Sequence, residues 1–287
     1  PKLSEKTKVT SSFFNRYSSI NNEITNNASV EIGNKKWASF TSISYSDFGD
    51  LKMGKNRSHG FNNWGKVFQY SENSNDFYSS SATVNSDENL QRNTAYNQTD
   101  LLQKFFIPLT DKTELKLNLQ YSTSSDIPRF DRLDEKHEGT LKFAEWYYGP
   151  QERLLISPQL VINPGKSWLD KGTFTLAYQN IKESRIQRKL SSLERSYRNE
   201  NVDIFSVNGD FMIPLSKNEN RAFTYGFEFL HNDVISDAFG KTLEVLGNDI
   251  IGTSDNFNVQ TRYPDGGSSY VSSAVYLGYR EDVTAKS

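Results

Sequence analysis

The segment Glu-Leu-Lys-Leu-Asn-Leu-Gln-Tyr at residues 114–121 alternates strictly between polar and apolar side chains. Successive side chains of a β-strand point to opposite faces of a sheet, so this period of two predicts a strand with one apolar and one polar face. The same alternation recurs at 205–213, 223–229 and 271–279. Helical periodicity of comparable strength is lacking, and the chain is therefore predicted to be all-β.

The alternation predicts about ten strands, and their connections fall into two classes. The strands are predicted at 7–20, 24–33, 36–49, 93–108, 113–124, 151–163, 172–187, 200–213, 221–236 and 269–282. Short connections at 34–35, 109–112, 164–171 and 214–220 alternate with long ones at 50–92, 125–150, 188–199 and 237–268, apart from a tight connection at 21–23. In an antiparallel meander, alternate connections lie at opposite ends of the strands. Short turns on one side and long loops on the other are typical of outer-membrane β-barrels, whereas a soluble sandwich has no reason to sort its loops in this way.

The composition agrees with such a barrel without requiring it. Hydrophobic residues make up 35% of the 287 residues and aromatic residues 13%, and the mean hydropathy is −0.69. No run approaches 18 consecutive apolar residues, which excludes a membrane-spanning helix but not a barrel strand. A net charge of −2 gives no electrostatic case for nucleic acid, and the absence of cysteine excludes disulfides and thiolate metal sites.

Five longer segments carry a resemblance through their order and spacing. They are Ser-Asp-Phe-Gly-Asp-Leu-Lys-Met-Gly at 46–54, Ala-Tyr-Asn-Gln-Thr-Asp-Leu-Leu-Gln-Lys at 95–104, Gln-Tyr-Ser-Thr-Ser-Ser-Asp-Ile-Pro-Arg-Phe-Asp-Arg-Leu at 120–133, Ala-Glu-Trp-Tyr-Tyr-Gly-Pro-Gln at 144–151 and Thr-Arg-Tyr-Pro-Asp-Gly-Gly-Ser-Ser at 261–269. Together they resemble the barrel of TonB-dependent outer-membrane receptors, and the resemblance covers almost the whole chain.

The resemblance implies an antiparallel up-and-down transmembrane β-barrel of about 22 strands in the bacterial outer membrane. It also implies active uptake of a scarce nutrient such as a ferric siderophore or haem. In this family a plug domain closes the lumen, and the TonB energy-coupling complex acts through that plug. Residues 1–287 are expected to be a partial receptor barrel without a plug domain, a fragment ending at 283–287 in the next short turn. Its expected partners are outer-membrane lipid and a small-molecule or metal-chelate ligand.

Two arginines and two tryptophans are candidate ligand-binding residues in the predicted outer loops. Arg129 and Arg132 stand in a loop dense in charge, where they either form exposed ion pairs or bind an anionic ligand such as a ferric chelate. Clustered carboxylates in the same loop also suggest calcium, but the EF-hand spacing is absent. Trp64 and Trp146 lie among aromatic residues that either stack on a ligand or belong to the aromatic girdle at the membrane surface. The girdle is the favoured interpretation for Tyr147 and Tyr148.

The histidines and a search for enzyme motifs give little indication of a further site. His59 and His137 lie in outer loops and are candidate haem ligands, although three unrelated histidines are the simpler interpretation. The sequence contains no HExxH, GxSxG, P-loop or GxGxxG motif, so neither catalysis, nor a bound cofactor, nor a metal site is predicted.

Two other functions compete with the receptor. A passive porin-like barrel would need no plug, but the order of the five segments argues against it. A soluble secreted all-β carbohydrate-binding module would explain the low hydropathy and the aromatic loops. It would not explain why short and long connections alternate.

Overall fold

A computed structural model describes residues 1–72, 76–216 and 221–281. The strands in the first half are β1 (Lys8–Ser18), β2 (Glu23–Gly33), β3 (Ala38–Phe48), β4 (Leu51–Lys52), β5 (Gln69–Tyr70), β6 (Thr83–Val84), β7 (Leu90–Gln91), β8 (Tyr96–Thr110) and β9 (Thr113–Ser124). Those in the second half are β10 (Ile127–Pro128), β11 (Lys136–His137), β12 (Thr140–Leu141), β13 (Phe143–Ile162), β14 (Lys171–Lys189), β15 (Glu194–Pro214), β16 (Arg221–Leu246), β17 (Asp249–Phe257) and β18 (Gly267–Glu281). A four-residue helix α1 (Phe130–Leu133) and a 3-10 turn (Pro264–Gly266) complete the elements, and no helix in these ranges is long and apolar enough to cross a membrane.

One antiparallel sheet holds twelve of the strands in the described ranges. Its order is β1-β2-β3-β8-β9-β13-β14-β15-β16, so each long strand pairs with the next long strand in the chain. The first part of β16 pairs with β18, and its last part pairs with β17. Within the described residues β1 and β18 do not pair with each other, and the sheet is an open up-and-down meander. The predicted all-β antiparallel fold of a partial barrel is confirmed.

Each of the ten predicted strands corresponds to a long strand of this sheet. The starts and ends near the short turns agree within a few residues, as at Thr113–Ser124. Part of the predicted turn 214–220, the end of the predicted strand 269–282 and the predicted turn 283–287 lie outside the described residues.

Three of the four predicted long loops were wrong in extent. The loop predicted at 188–199 is a turn at 190–193, because β14 runs to Lys189 and β15 begins at Glu194. The loop predicted at 237–268 is largely a hairpin of β16 and β17, and the loop predicted at 125–150 ends where β13 begins at Phe143. Backbone pairing continues in these segments although the apolar–polar alternation does not. The alternation requires one face in an apolar medium, so it stops where that medium stops.

The register assigns side chains to two faces of the sheet. Phe174, Gly209, Phe227 and Val275 lie opposite one another on neighbouring strands and therefore on one face. The same face carries a band of apolar side chains at 172–178 of β14, 205–213 of β15, 223–229 of β16 and 271–279 of β18. Many of these side chains are exposed, up to 86% for Val275. We call this the apolar face, and its exposed side chains are typical of a surface that contacts lipid.

The height of the apolar band is near that of a membrane. On β15, about eight residue steps of ~3.3 Å at a tilt of ~40° span roughly 20 Å, close to the ~25 Å band of outer-membrane barrels. The opposite face, called the polar face, carries the predicted inward residues Lys116, Asn118, Gln120 and Glu228. Beyond the band the strands continue on the side of the long loops. We call the segments 143–152, 179–189, 194–203 and 232–246, together with β17, the outer extensions.

Candidate functional site

The outer extensions hold a buried ion cluster on the continuation of the apolar face. The guanidinium of Arg188 donates from Nε to Glu145 Oε1 at 2.8 Å, and Arg195 donates from Nε to Glu145 Oε2 at 2.6 Å. The three side chains are between 0% and 7% exposed. A carboxylate between two guanidiniums is the arrangement that allows such charges to be buried at all.

The sheet register brings these three residues together. Glu145 of β13 is the cross-strand partner of Arg188 on β14, and Arg188 is the partner of Arg195 on β15. Tyr147 stands two positions along β13 from Glu145 and is also buried. Burial, reinforced by the charge of Glu145, raises the pKa of the Tyr147 hydroxyl, which therefore stays neutral.

A loop segment covers the cluster. The ring of Tyr78 lies 5.0 Å from the guanidinium carbon of Arg188. The Tyr78 amide donates to the carbonyl of Asn248 at 2.7 Å, and the Ile250 amide donates to the carbonyl of Asp76 at 2.9 Å. Ser191 Oγ donates to the carbonyl of Ser80 at 2.6 Å. We call the contact of 76–81 with the turns 190–193 and 247–248 the clasp, and it fixes the first long loop across the tips of two hairpins.

On the polar face a chain of cations and aromatic rings runs up the outer extensions. The Arg129 guanidinium lies 4.7 Å from the Trp146 ring, and the Trp146 and Tyr148 rings meet edge-on at 5.3 Å. Arg185 lies 5.4 Å from the Tyr148 ring. The pairing of β10 with β13 positions the first contact, because the Arg129 amide donates to the carbonyl of Trp146. This chain forms one wall of the outer mouth of the polar face.

Below that wall a cleft of about 320 Å³ opens on the polar face. It is lined by Gln98, Ser122, Thr123, Ser124, Ile127, Gln151, Glu152, Arg153, Ile181, Lys182 and Glu183. Most of the lining residues carry a hydroxyl, amide or charged group, although the apolar parts of the residues make up the larger share of the lining surface. The β-bulge of β13 between Gly149 and Glu152 lies at its upper edge. Such a cleft can hold a small polar molecule by hydrogen bonds.

The structure brings two of the predicted ligand-binding residues together and separates the others. Arg129 contacts Trp146 but also donates to Asp131 at 2.9 Å. Arg132 donates to Glu135 at 2.8 Å. Hydrogen bonds from Lys142 and from Arg132 lower the pKa of the Glu135 carboxyl. Both predicted anion-binding arginines thus have their charge balanced by a carboxylate of the same loop.

Trp64 and the two histidine candidates lie apart from the cleft. Trp64 is 62% exposed and meets His59 edge-on at 5.5 Å in the loop that follows β4. His137 stands in the hairpin of β11 and β12, next to a turn in which Glu138 has a φ of 52°. In the ranges described, no three acidic or histidine side chains are close enough to hold a metal ion.

The girdle interpretation of Tyr147 and Tyr148 was wrong. Tyr147 is 7% exposed beside Glu145, and Tyr148 contacts Arg185 on the polar face. Their partners in β14 lie some eight residues beyond the end of the apolar band, which is roughly 26 Å along a strand. Sequence reasoning also missed Arg188 and Arg195, because a cluster drawn from three strands leaves no local signal.

Comparison with known proteins identifies the fold. No family model matches the chain, and no curated protein matches it. The solved structure of the copper transporter OprC has a TM-score of 0.57 at 8% identity, over 89% of this chain and 32% of that one. The ferric yersiniabactin uptake receptor FyuA from Yersinia pestis has a TM-score of 0.48 at 10% identity, over 94% and 37%. The RagAB peptide transporter has a TM-score of 0.46 at 11% identity, over 91% and 30%.

The likeness to OprC shows the fold, which is a segment of a β-barrel. The chain spans about a third of the length of each of these structures. Membership of a particular family stays a prediction at this level of identity.

Proposed function

We propose that this chain is part of a TonB-dependent outer-membrane receptor that takes up a scarce nutrient such as a ferric siderophore or haem. The observation that carries the proposal is the one-sided extension of the sheet. Strands leave the apolar band by short turns on one side, such as 34–37, and run on into long outer extensions on the other. A membrane barrel that captures ligand on one side of the bilayer needs this asymmetry.

Each part of the sheet has a place in this function. The apolar face contacts outer-membrane lipid, and the polar face lines the lumen. The outer extensions and the loops between them meet the ligand. The fold shared with the copper transporter OprC and the resemblance carried by the five segments both support a receptor on which an energy-coupling complex acts through a plug domain. The role is transport rather than catalysis, and it involves no nucleic acid.

Two experiments test the proposal in the bacterium that makes the protein. In fractionation, we expect the protein in the outer membrane; recovery without detergent would overturn the assignment and favour a soluble binding module. In uptake assays, we expect deletion of the gene to reduce uptake of at least one labelled iron chelate or haem, and loss of TonB to have the same effect. Uptake that continues without TonB would favour a passive porin-like barrel instead.

A further inference from the structure

Arg153 differs from five other arginines of the outer region in its partners. Arg129, Arg132, Arg185, Arg188 and Arg195 each form an ion pair with a carboxylate. Arg153 donates from Nε and Nη2 to Gln179 Oε1, at 3.1 and 2.8 Å, and to no carboxylate oxygen within 4.0 Å among the described residues. A neutral amide orients the guanidinium but leaves its positive charge uncompensated.

The position of Arg153 makes this charge available. Its side chain is exposed on the polar face, where its cross-strand partners are Ser122 and Ile181. It lines the cleft of about 320 Å³ and also a neighbouring cleft of about 200 Å³ that includes Asp100 and Gln120. Because both Gln179 contacts use the Nε and Nη2 edge, Nη1 remains for a molecule that enters these clefts.

The carboxylates around the clefts already have partners of their own. Glu183 accepts from Arg185 and from Gln151, and Glu152 pairs with Lys182 at 3.5 Å. Asp100 accepts from the amide of Gln98 and from the hydroxyl of Ser122. Glu183 and Glu152 are thus paired with cations, whereas Asp100 is held by neutral groups, and none of the three forms an ion pair with Arg153. The free edge of the Arg153 guanidinium therefore remains open to a ligand.

The remaining groups of the larger cleft suit a hydroxyl-rich or amide-rich molecule. Ser124 Oγ accepts from the Gln151 amide at 3.1 Å, so its own hydroxyl proton can be donated elsewhere. Gln98 adds an amide carbonyl to the lining, because its side-chain amide nitrogen is the group that bonds to Asp100. The site therefore combines one oriented cation with several neutral donors and acceptors.

We propose that Arg153 binds a carboxylate of the transported ligand, and that the ligand is of the carboxylate-bearing class rather than the hydroxamate class. This inference rests on the proposed function and names the substrate class of the receptor. Guanidinium groups bind carboxylates through paired hydrogen bonds, and such charge-assisted bonds are about twice as strong as neutral ones. The ligand is held on the polar face between β9, β13 and β14, at the outer end of the apolar band.

The experiment measures binding to the purified full-length receptor in detergent with three probes. Ferric citrate and haem both carry carboxylates, whereas ferrioxamine B is a hydroxamate chelate without one. We expect one carboxylate probe to bind, and to bind about tenfold to a hundredfold more weakly to Arg153→Gln. Gln179→Glu should weaken binding to a similar degree, because it supplies the missing carboxylate and neutralises Arg153 without removing it.

Two further variants act as controls. Arg153→Lys keeps the charge and should keep part of the affinity. Arg198→Gln removes an arginine of the same face that donates to the Gln260 carbonyl outside the cleft, and it should bind like the unmodified protein.

The inference is overturned if neither carboxylate probe binds, or if Arg153→Gln and Gln179→Glu bind within twofold of the unmodified protein. Tight binding of ferrioxamine B alone would also overturn it while leaving the receptor function intact. Uptake assays on the deletion strain separate the two cases, because only they test the proposed function itself.

Discussion

Strand β14 uses one face in two different ways along its length. Within the apolar band that face carries Phe174, Leu176 and Tyr178, of which Phe174 and Leu176 are large exposed hydrophobics. In the outer extension the same face carries Ile186 and Arg188, which are both buried. In the proposed receptor, the lipid around the band takes the place of a protein core. In the outer extensions, this face is buried by other parts of the chain. Its side chains form an ion cluster, and a loop segment covers that cluster.

This comparison predicts that the largest loss of stability comes from a substitution in the buried ion cluster of the outer extensions. Glu145→Gln leaves two buried guanidiniums without a carboxylate, and breaking such a buried pair costs about 3–5 kcal/mol. We expect faster hydrogen exchange of backbone amides in the outer extensions of β14 and β15. The matched control is Glu281→Gln, which breaks the exposed pair with Arg221 and should cost about 1 kcal/mol or less. Equal effects of the two variants would contradict the comparison.

A charge introduced into the apolar band should reduce the stability of the folded protein only when it lies on the apolar face. Leu176→Arg places a charge on the apolar face and should destabilise the folded barrel in lipid vesicles by about 2–4 kcal/mol. Ala177→Arg changes the next residue, on the polar face, where its partner Ser206 is small, and it should cost much less. Denaturant titration in vesicles measures both. A similar loss for both variants would mean that the two faces are not lipid and lumen.

The cover of the ion cluster can be weakened without touching its charges. Tyr78→Ala removes the ring over Arg188, and a desolvated cation–π contact is worth about 2 kcal/mol. We expect faster proteolysis within 76–81 and faster exchange of the Ile250 amide. Tyr78→Phe keeps the ring and loses only the 3.4 Å hydrogen bond to the Ser191 carbonyl, so it should behave almost like the unmodified protein. If both variants are equally labile, the ring contact does not hold the clasp.

The smallest effect is expected in the exposed loop next to α1. Because the Glu135 pKa is lowered in the folded protein, its contacts with Lys142 and Arg132 stabilise the loop above the ordinary pKa of 4.5 and are lost as the pH falls through the lowered value. In Glu135→Gln this acid-dependent change should be missing. Hydrogen exchange of the 130–142 amides as a function of pH measures it. Glu138→Gln, in the exposed turn of the neighbouring hairpin, is the control and should keep the change.

The band was predictable from the sequence and the outer extensions were not, for the same physical reason. Segments such as 205–213 alternate because an apolar medium on one face, which is lipid in the proposed receptor, selects apolar residues at every second position. Beyond the band both faces are polar or covered by protein, so 188–189, 194–199 and 249–257 form strands without that signal. Backbone pairing with a neighbour is sufficient there, and a single sequence does not display it.

Candidate site residues were predictable by type but not by partner. Arg129 and Trp146 stood out as a cation and an aromatic residue, but their contact depends on the pairing of β10 with β13. The charge of Arg129 is balanced by Asp131 two residues away, whereas Arg153 faces Gln179 on the next strand. Only the strand register shows which arginine has a carboxylate partner and which has a neutral one.

The clasp also bears on the order in which the chain assembles. In the large sheet, almost all long strands pair with the long strand that follows them in the chain. Successive hairpins therefore close small loops at little entropic cost. The hydrogen bond from Asn248 to the Tyr78 carbonyl instead spans 170 positions. Contacts of such sequence separation form slowly unless the intervening chain is already ordered. We therefore expect the clasp to close last, after the strands between β3 and β17 are in register.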